Sequence, residues 1–87
     1  MVNVSVALPA DTQAILAGLG QAIRELRSSR RLSQEELGNQ AGLHRNYVGG
    51  IERGERSPTV AAVIELALVL QVPVSEIFAR AEQVADY

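Results

Sequence analysis

Arg45 and Asn46 are adjacent, polar and planar at their tips, and they stand just before an apolar pair, Val48 and Ile51, set three residues apart. A guanidinium carries paired N–H donors that match the O6 and N7 acceptors of guanine, and a carboxamide carries the donor and acceptor that match N6 and N7 of adenine. The chemistry on offer is therefore two-pronged hydrogen bonding to planar edges, provided that a helix holds both side chains outward. His44 precedes them and is the only histidine in the chain. With no second strong ligand beside it, it fits a helix cap or a nucleic-acid contact better than a metal site or a catalytic base.

Further donors cluster around this pair. Gln34, Tyr47, Arg53, Arg56 and the neighbours Arg30 and Arg31 are of types that bind phosphate oxygens, with an ordinary solvated role as the alternative for each. The net charge of −2 conceals an uneven distribution: residues 27–56 hold six arginines against four glutamates, whereas residues 57–87 hold one arginine against four acids. Lysine is absent, which leaves phosphate and guanine contacts to arginine, the better bidentate donor.

The elements that must position these residues are two short helices and a turn. Ser33 and Glu36 have the spacing at which a hydroxyl and a carboxylate each satisfy a free backbone N–H at a helix start, so a helix begins near Gln34. Leu37, Ala41 and Leu43 are its apolar positions, and Gly42 supplies the reversal at its end without a Cβ clash. After the turn, Val48 and Ile51 share one face while Arg45, Asn46 and Gly49 point the other way. Counted from Gln34, apolar residues occupy places four, ten, fifteen and eighteen, with a minimal residue at five and glycine at nine: Leu37, Leu43, Val48, Ile51, Gly38 and Gly42. Gly38 permits a close crossing that leaves the second helix projecting, with its N-terminal residues leading into a major groove.

On the SQEEL, AGL and IERGERSP runs, the chain resembles the lambda-repressor-like helix-turn-helix proteins of the XRE family over roughly Leu19 to Phe78. The LHRNYVGGIERGER run is most similar to the small controller proteins of restriction–modification systems and related stand-alone regulators. The resemblance implies an all-α fold of five helices with the helix-turn-helix at helices 2 and 3. It also implies a sequence-specific regulator of transcription that binds a pseudo-palindromic double-stranded operator as a dimer, in bacterial or phage cytoplasm at the nucleoid. Gly50 departs from the family, where that position often bears another base-reading side chain. Arg24-Glu25-Leu26-Arg27 and Ile51-Glu52-Arg53-Gly54 match the two family segments whose Arg and Glu pair, implying an Arg27–Glu52 ion pair that orients the reading helix.

Eighty-seven residues suffice for one core, so the expected organisation is an arm (1–9), a DNA-binding and dimerisation domain (10–80) and a tail (81–87), with no effector-binding domain and no small-molecule effector. The lack of cysteine removes disulfides and Cys-based zinc sites and suits a reducing compartment. No cofactor is expected, and no run is long and apolar enough to suggest a membrane span or a signal peptide.

The alternation of Val2, Val4, Val6 and Leu8 with polar neighbours has strand period, which leaves two readings of the N-terminus: a short pairing strand at a dimer interface or a disordered arm. Pro9 ends it, and Asp11 or Thr12 caps a helix running to about Ser29 with the stripe Ile15, Leu19, Ala22, Ile23 and Leu26. Gly18 and Gly20 are expected to weaken that helix by roughly 1 kcal/mol each. Ser57 and Pro58 are expected to start the next helix as cap and first turn. In residues 60–70, Val60, Val63, Leu66, Ala67 and Leu70 suffice for the core, so Ala61, Ile64 and Leu68 form a second apolar stripe needing a second partner. Pro73 breaks that helix, and a last one carries Val74, Ile77 and Phe78, with fraying expected after Arg80. Ile64, Leu68, Val74 and Phe78 are the expected homodimer interface. The acids of this half offer a contact for RNA polymerase.

Catalysis has little to work with here: one histidine, no cysteine, and no phosphate loop, since Gly49-Gly50 falls inside a helix and not between strand and helix. The competing reading is a protein-binding module or antitoxin that grips a partner through its apolar helices, with DNA binding secondary.

Overall fold

Asp11 caps the first described helix by accepting the Ala14 N–H at 2.9 Å with its carboxylate, and five helices are formed in a computed structural model that describes residues 11–85. They are α1 (Thr12–Ser29), α2 (Gln34–Ala41), α3 (Arg45–Glu52), α4 (Val60–Leu70) and α5 (Val74–Val84). Among the described residues the fold is all-α. The expected arm at residues 1–9 and the last two residues of the tail lie outside them.

The capping box is formed as the spacing requires: Ser33 Oγ accepts from the Glu36 N–H at 2.9 Å, and the Glu36 carboxylate accepts from the Ser33 N–H at 2.8 Å. Gly42 closes α2 at φ 74°, a left-handed conformation in which a Cβ is strained. The Leu43 N–H returns to the Gly38 carbonyl at 2.8 Å. A Cβ on Gly38 would strike the Leu43 carbonyl oxygen, so the small residue is needed for the turn to fold back on its own helix.

Leu19, Ile23, Leu26, Leu37, Val48, Ile51, Val63, Leu66, Leu70 and Ile77 form one buried cluster. Helix α1 packs along α5 and against α3, and α2 packs on α3 and α4. Ile15 is only half-buried, at the edge of the stripe expected for α1. The two glycines expected to weaken α1 lie at close contacts with other helices. A Cβ on Gly18 would meet the Ala81 backbone, and one on Gly20 would meet the carbonyls of Ile51 and Glu52.

Two boundaries and one core position differ from expectation. The cap of α4 is Thr59, whose hydroxyl accepts from the Ala62 N–H at 3.0 Å; Ser57 and Pro58 lie in the loop before it. Val60, expected in the core, is largely exposed, and Ala62 is buried in its place. With the helix starting one residue after Thr59, its inward face falls on Ala62, Val63, Leu66, Ala67 and Leu70. Helix α5 does not fray at Arg80 but continues to Val84, held by the burial of Ala81 against Gly18. Among the described residues no single helix is long and apolar enough to cross a membrane.

Candidate nucleic-acid interface

Helix α3 is eight residues long and buries Val48, Gly49, Gly50 and Ile51. Its first two residues, Arg45 and Asn46, are exposed. The helix begins on His44, whose Nδ1 accepts the Asn46 N–H at 3.0 Å. An accepting Nδ1 carries no proton, so the neutral ring holds its proton on Nε2 and offers it as a donor. His44 is thus a cap, and its remaining polar atom is available on the exposed side of the residue that leads into α3.

Behind the tip, the helix is locked to α1. Arg27 Nε lies 2.6 Å from Glu52 Oε2 and Nη2 lies 3.0 Å from Oε1, while Arg27 Nη1 donates to the Leu32 carbonyl at 2.8 Å. The hydrogen bond to Glu52 raises the Arg27 pKa above its ordinary value, against the opposing effect of burial. Glu52 Oε1 also accepts from Gln34 Nε2 at 3.0 Å. One acid at the end of α3 therefore ties together α1 and the start of α2. Gln34, expected to donate to phosphate, gives one N–H to this network and retains the second.

The remaining candidates are held to different degrees. Arg53 Nε pairs with Glu55 at 3.0 Å on the surface. The Arg56 guanidinium carbon lies 5.4 Å from the centre of the Tyr47 ring, within cation–π range. The Tyr47 hydroxyl accepts from the Thr59 N–H at 3.3 Å, which leaves its own proton to donate. Arg31 is exposed, with φ 57° in the turn after α1. Arg30 donates Nε to the Leu70 carbonyl at 2.7 Å, so it closes the C-terminal end of α4, a role that its sequence position did not suggest.

Gly49, expected on the exposed face with Arg45 and Asn46, is buried. A Cβ there would lie 3.0 Å from Arg53 Nη1 and 3.2 Å from Gln34 Oε1, and a Cβ on Gly50 would strike the Arg56 stem. Long side chains thus lie across the two glycines. One charged residue escaped the sequence reading: Glu35, whose Oε1 is 3.8 Å from Arg45 Nη1. The signal was its place at the second position of α2, beside the N-terminus that the turn folds back to it.

A short helix with a polar tip, braced from behind and flanked by arginines, is suited to the major groove of duplex DNA. The class so defined is the DNA-binding transcriptional regulators of helix-turn-helix type, not an enzyme class. Residues 23–77 match the helix-turn-helix family model HTH_3, and the chain belongs to that family, the XRE type of regulator.

Among its relatives, the control protein C.SmaI of Serratia marcescens is 40% identical over 62 residues, which are 71% of this chain and 74% of the relative. The CTXphi repressor RstR of Vibrio cholerae is 38% identical over 64 residues, 74% of this chain and 58% of that protein. The crystal structure of the restriction–modification controller protein C.AhdI from Aeromonas hydrophila is 44% identical. It superposes with a TM-score of 0.72 over 74% of this chain and 97% of that one.

Proposed function

We propose that this regulator binds a pseudo-palindromic operator as a homodimer and acts as a controller of the restriction–modification type. The observation that carries the reading is the pairing of two surfaces on one small fold. Arg45 and Asn46 stand exposed at the tip of α3, and among the described residues an apolar face is exposed on α4 and α5. On that face Leu68 is 68% exposed, and Ile64 and Phe78 are 41% exposed each. Val74 contributes less, being half-buried against the core. The likeness to C.SmaI and C.AhdI, both described as control or controller proteins, supports the narrower assignment.

Two subunits joined through α4 and α5 would set their α3 helices into successive major grooves about 34 Å apart. Arg45 and Asn46, with His44 Nε2, face the base edges. Arg53, Arg56, Tyr47, Arg31 and the spare N–H of Gln34 face phosphates. Arg27 and Glu52 hold the reading helix at its angle. Concentration and dimerisation set occupancy, with no small-molecule effector, and acids outside the reading surface offer a contact for RNA polymerase.

The test is binding to an operator recovered by selection from random duplexes. With about four phosphates neutralised per subunit, log K against log salt has a slope near −7. The recovered site is two-fold symmetric, with half-sites one helical turn apart. A flat salt response, with tight capture of a protein partner, would favour the protein-binding reading instead.

A further inference from the structure

The acids of the helix-turn-helix are nearly all committed. Glu36 closes the capping box, Glu52 holds Arg27 and Gln34, and Glu55 holds Arg53. Glu35 is different. Its side chain is 63% exposed, and Oε1 lies 3.8 Å from Nη1 of Arg45, which is 61% exposed. That distance is too long for a hydrogen bond, so the two groups are neighbours with their bonding capacity unspent. Glu35, Asn39, His44 and Arg45 together line one open recess between α2 and the start of α3.

The helix dipole favours an acid in the first turn of α2. It does not account for a carboxylate standing beside the guanidinium that leads the reading helix, on a face where phosphates repel it. The major-groove edge of a G·C pair does. Read across, it presents two acceptors, guanine N7 and O6, followed by one donor, the cytosine N4 amino group. A guanidinium with a carboxylate alongside presents two donors followed by one acceptor.

We propose that Glu35 and Arg45 together read one G·C base pair, with Arg45 donating to guanine and Glu35 accepting from the cytosine amino group. The inference rests on the proposed entry of α3 into the major groove and adds a second reading residue from α2. An A·T pair in the same place presents acceptor, donor, acceptor. It sets the adenine amino group against the guanidinium and thymine O4 against the carboxylate, so the wrong pair is rejected by repulsion as well as by lost bonds. Glu35 weakens binding to all DNA through its charge and recovers that loss at the cognate pair.

The experiment uses the full chain and the selected operator. At the base pair whose preference is relaxed by Arg45→Ala, cytosine is replaced by 2-pyrimidinone, which lacks only the N4 amino group. Wild-type binding falls about tenfold, the effect of one charge-assisted base contact. Glu35→Ala binds random duplexes several-fold more tightly than wild type, loses about tenfold in its operator-to-random ratio and is nearly indifferent to the analogue. Glu35→Gln, which keeps an acceptor, retains part of the sensitivity. Thermal melting of each variant confirms that it is folded. Equal losses on the analogue for wild type and Glu35→Ala would overturn the proposal, as would a gain by Glu35→Ala that is uniform on every sequence. Wild-type protein that binds no duplex at all would sink the larger reading, an outcome visible before any variant is made.

Discussion

Arg27 grips Glu52 with two donors, Nε at 2.6 Å and Nη2 at 3.0 Å, across the contact between the first and third helices. The Glu52 side chain is 3% exposed and that of Arg27 is 15% exposed. A pair taken this far out of water contributes little net stability, but leaving one member alone strands a charge. Arg27→Ala is expected to cost about 3 kcal/mol, and Arg27→Lys nearly as much, because an ammonium cannot reproduce the fork. The double variant Arg27→Met, Glu52→Leu should recover much of the loss. Urea denaturation of the wild type, Arg27→Met, Glu52→Leu and the double variant measures the coupling, and additive losses would show that the two side chains act independently.

Asn46 and Arg45 share the tip of α3 but differ in what supports them: the Asn46 N–H is held by His44, whereas the Arg45 guanidinium stands 3.8 Å from the Glu35 carboxylate. Arg45→Ala is expected to cost about 1–3 kcal/mol on the operator and to relax preference at one base pair. Titration against a panel of single-base operator variants reads both effects. A loss equal on all sequences would make Arg45 a phosphate contact.

Leu68 is the most exposed of the four residues assigned to the dimer face, so a charge there disturbs the subunit fold least. Leu68→Glu should give a folded monomer by analytical ultracentrifugation with much weaker operator binding. A variant that stays dimeric would remove α4 from the interface.

Gly20 shows why a local reading of sequence erred. Helix propensity predicts that Ala there strengthens α1 by about 1 kcal/mol. The structure places the Ile51 and Glu52 carbonyls where the new Cβ would go, and overpacking of this kind costs about 1–3 kcal/mol. Gly20→Ala should therefore lower the melting temperature, and operator affinity should fall further than stability alone explains, since the displaced segment is the end of the reading helix. A rise in melting temperature would show that α1 and α3 can separate without loss.

The same contrast governs what was legible before the structure. The capping box, the Gly42 turn, the buried faces of α2 and α3 and the break at Pro73 are set by neighbours within about one helical turn, and local spacing is enough to read them. Gly18 and Gly20, the tie from Arg30 to Leu70 and the branch from Gln34 to Glu52 depend on residues 18 to 63 positions away. A single chain read without partners cannot rank such contacts. Thr59 was missed for a different reason: Ser57-Pro58 is itself a good helix start, and the structure uses the next hydroxyl along. Glu35 was passed over because an acid in a first turn already has an ordinary explanation.

Glu36 gives the remaining expectation, a dependence on pH. Its carboxylate accepts from the Ser33 backbone N–H, and this bond, with the smaller effect of the Ser33 hydroxyl, holds its pKa below the usual carboxylate value. A depressed folded-state pKa means that the unfolded chain takes up the proton first as pH falls. The contribution of this group is therefore complete above its unfolded pKa, about 4.3, and is lost as pH falls through the lower folded-state value. Glu36→Gln keeps the geometry of a capping box but cannot titrate. Between about pH 5 and 3 its urea midpoint should fall less steeply than that of wild type, with the two proteins closest in stability at the acid end. Parallel curves over that interval would mean that the carboxylate of Glu36 has the same proton affinity in the folded and unfolded chain, and the α2 cap would then owe nothing to its charge.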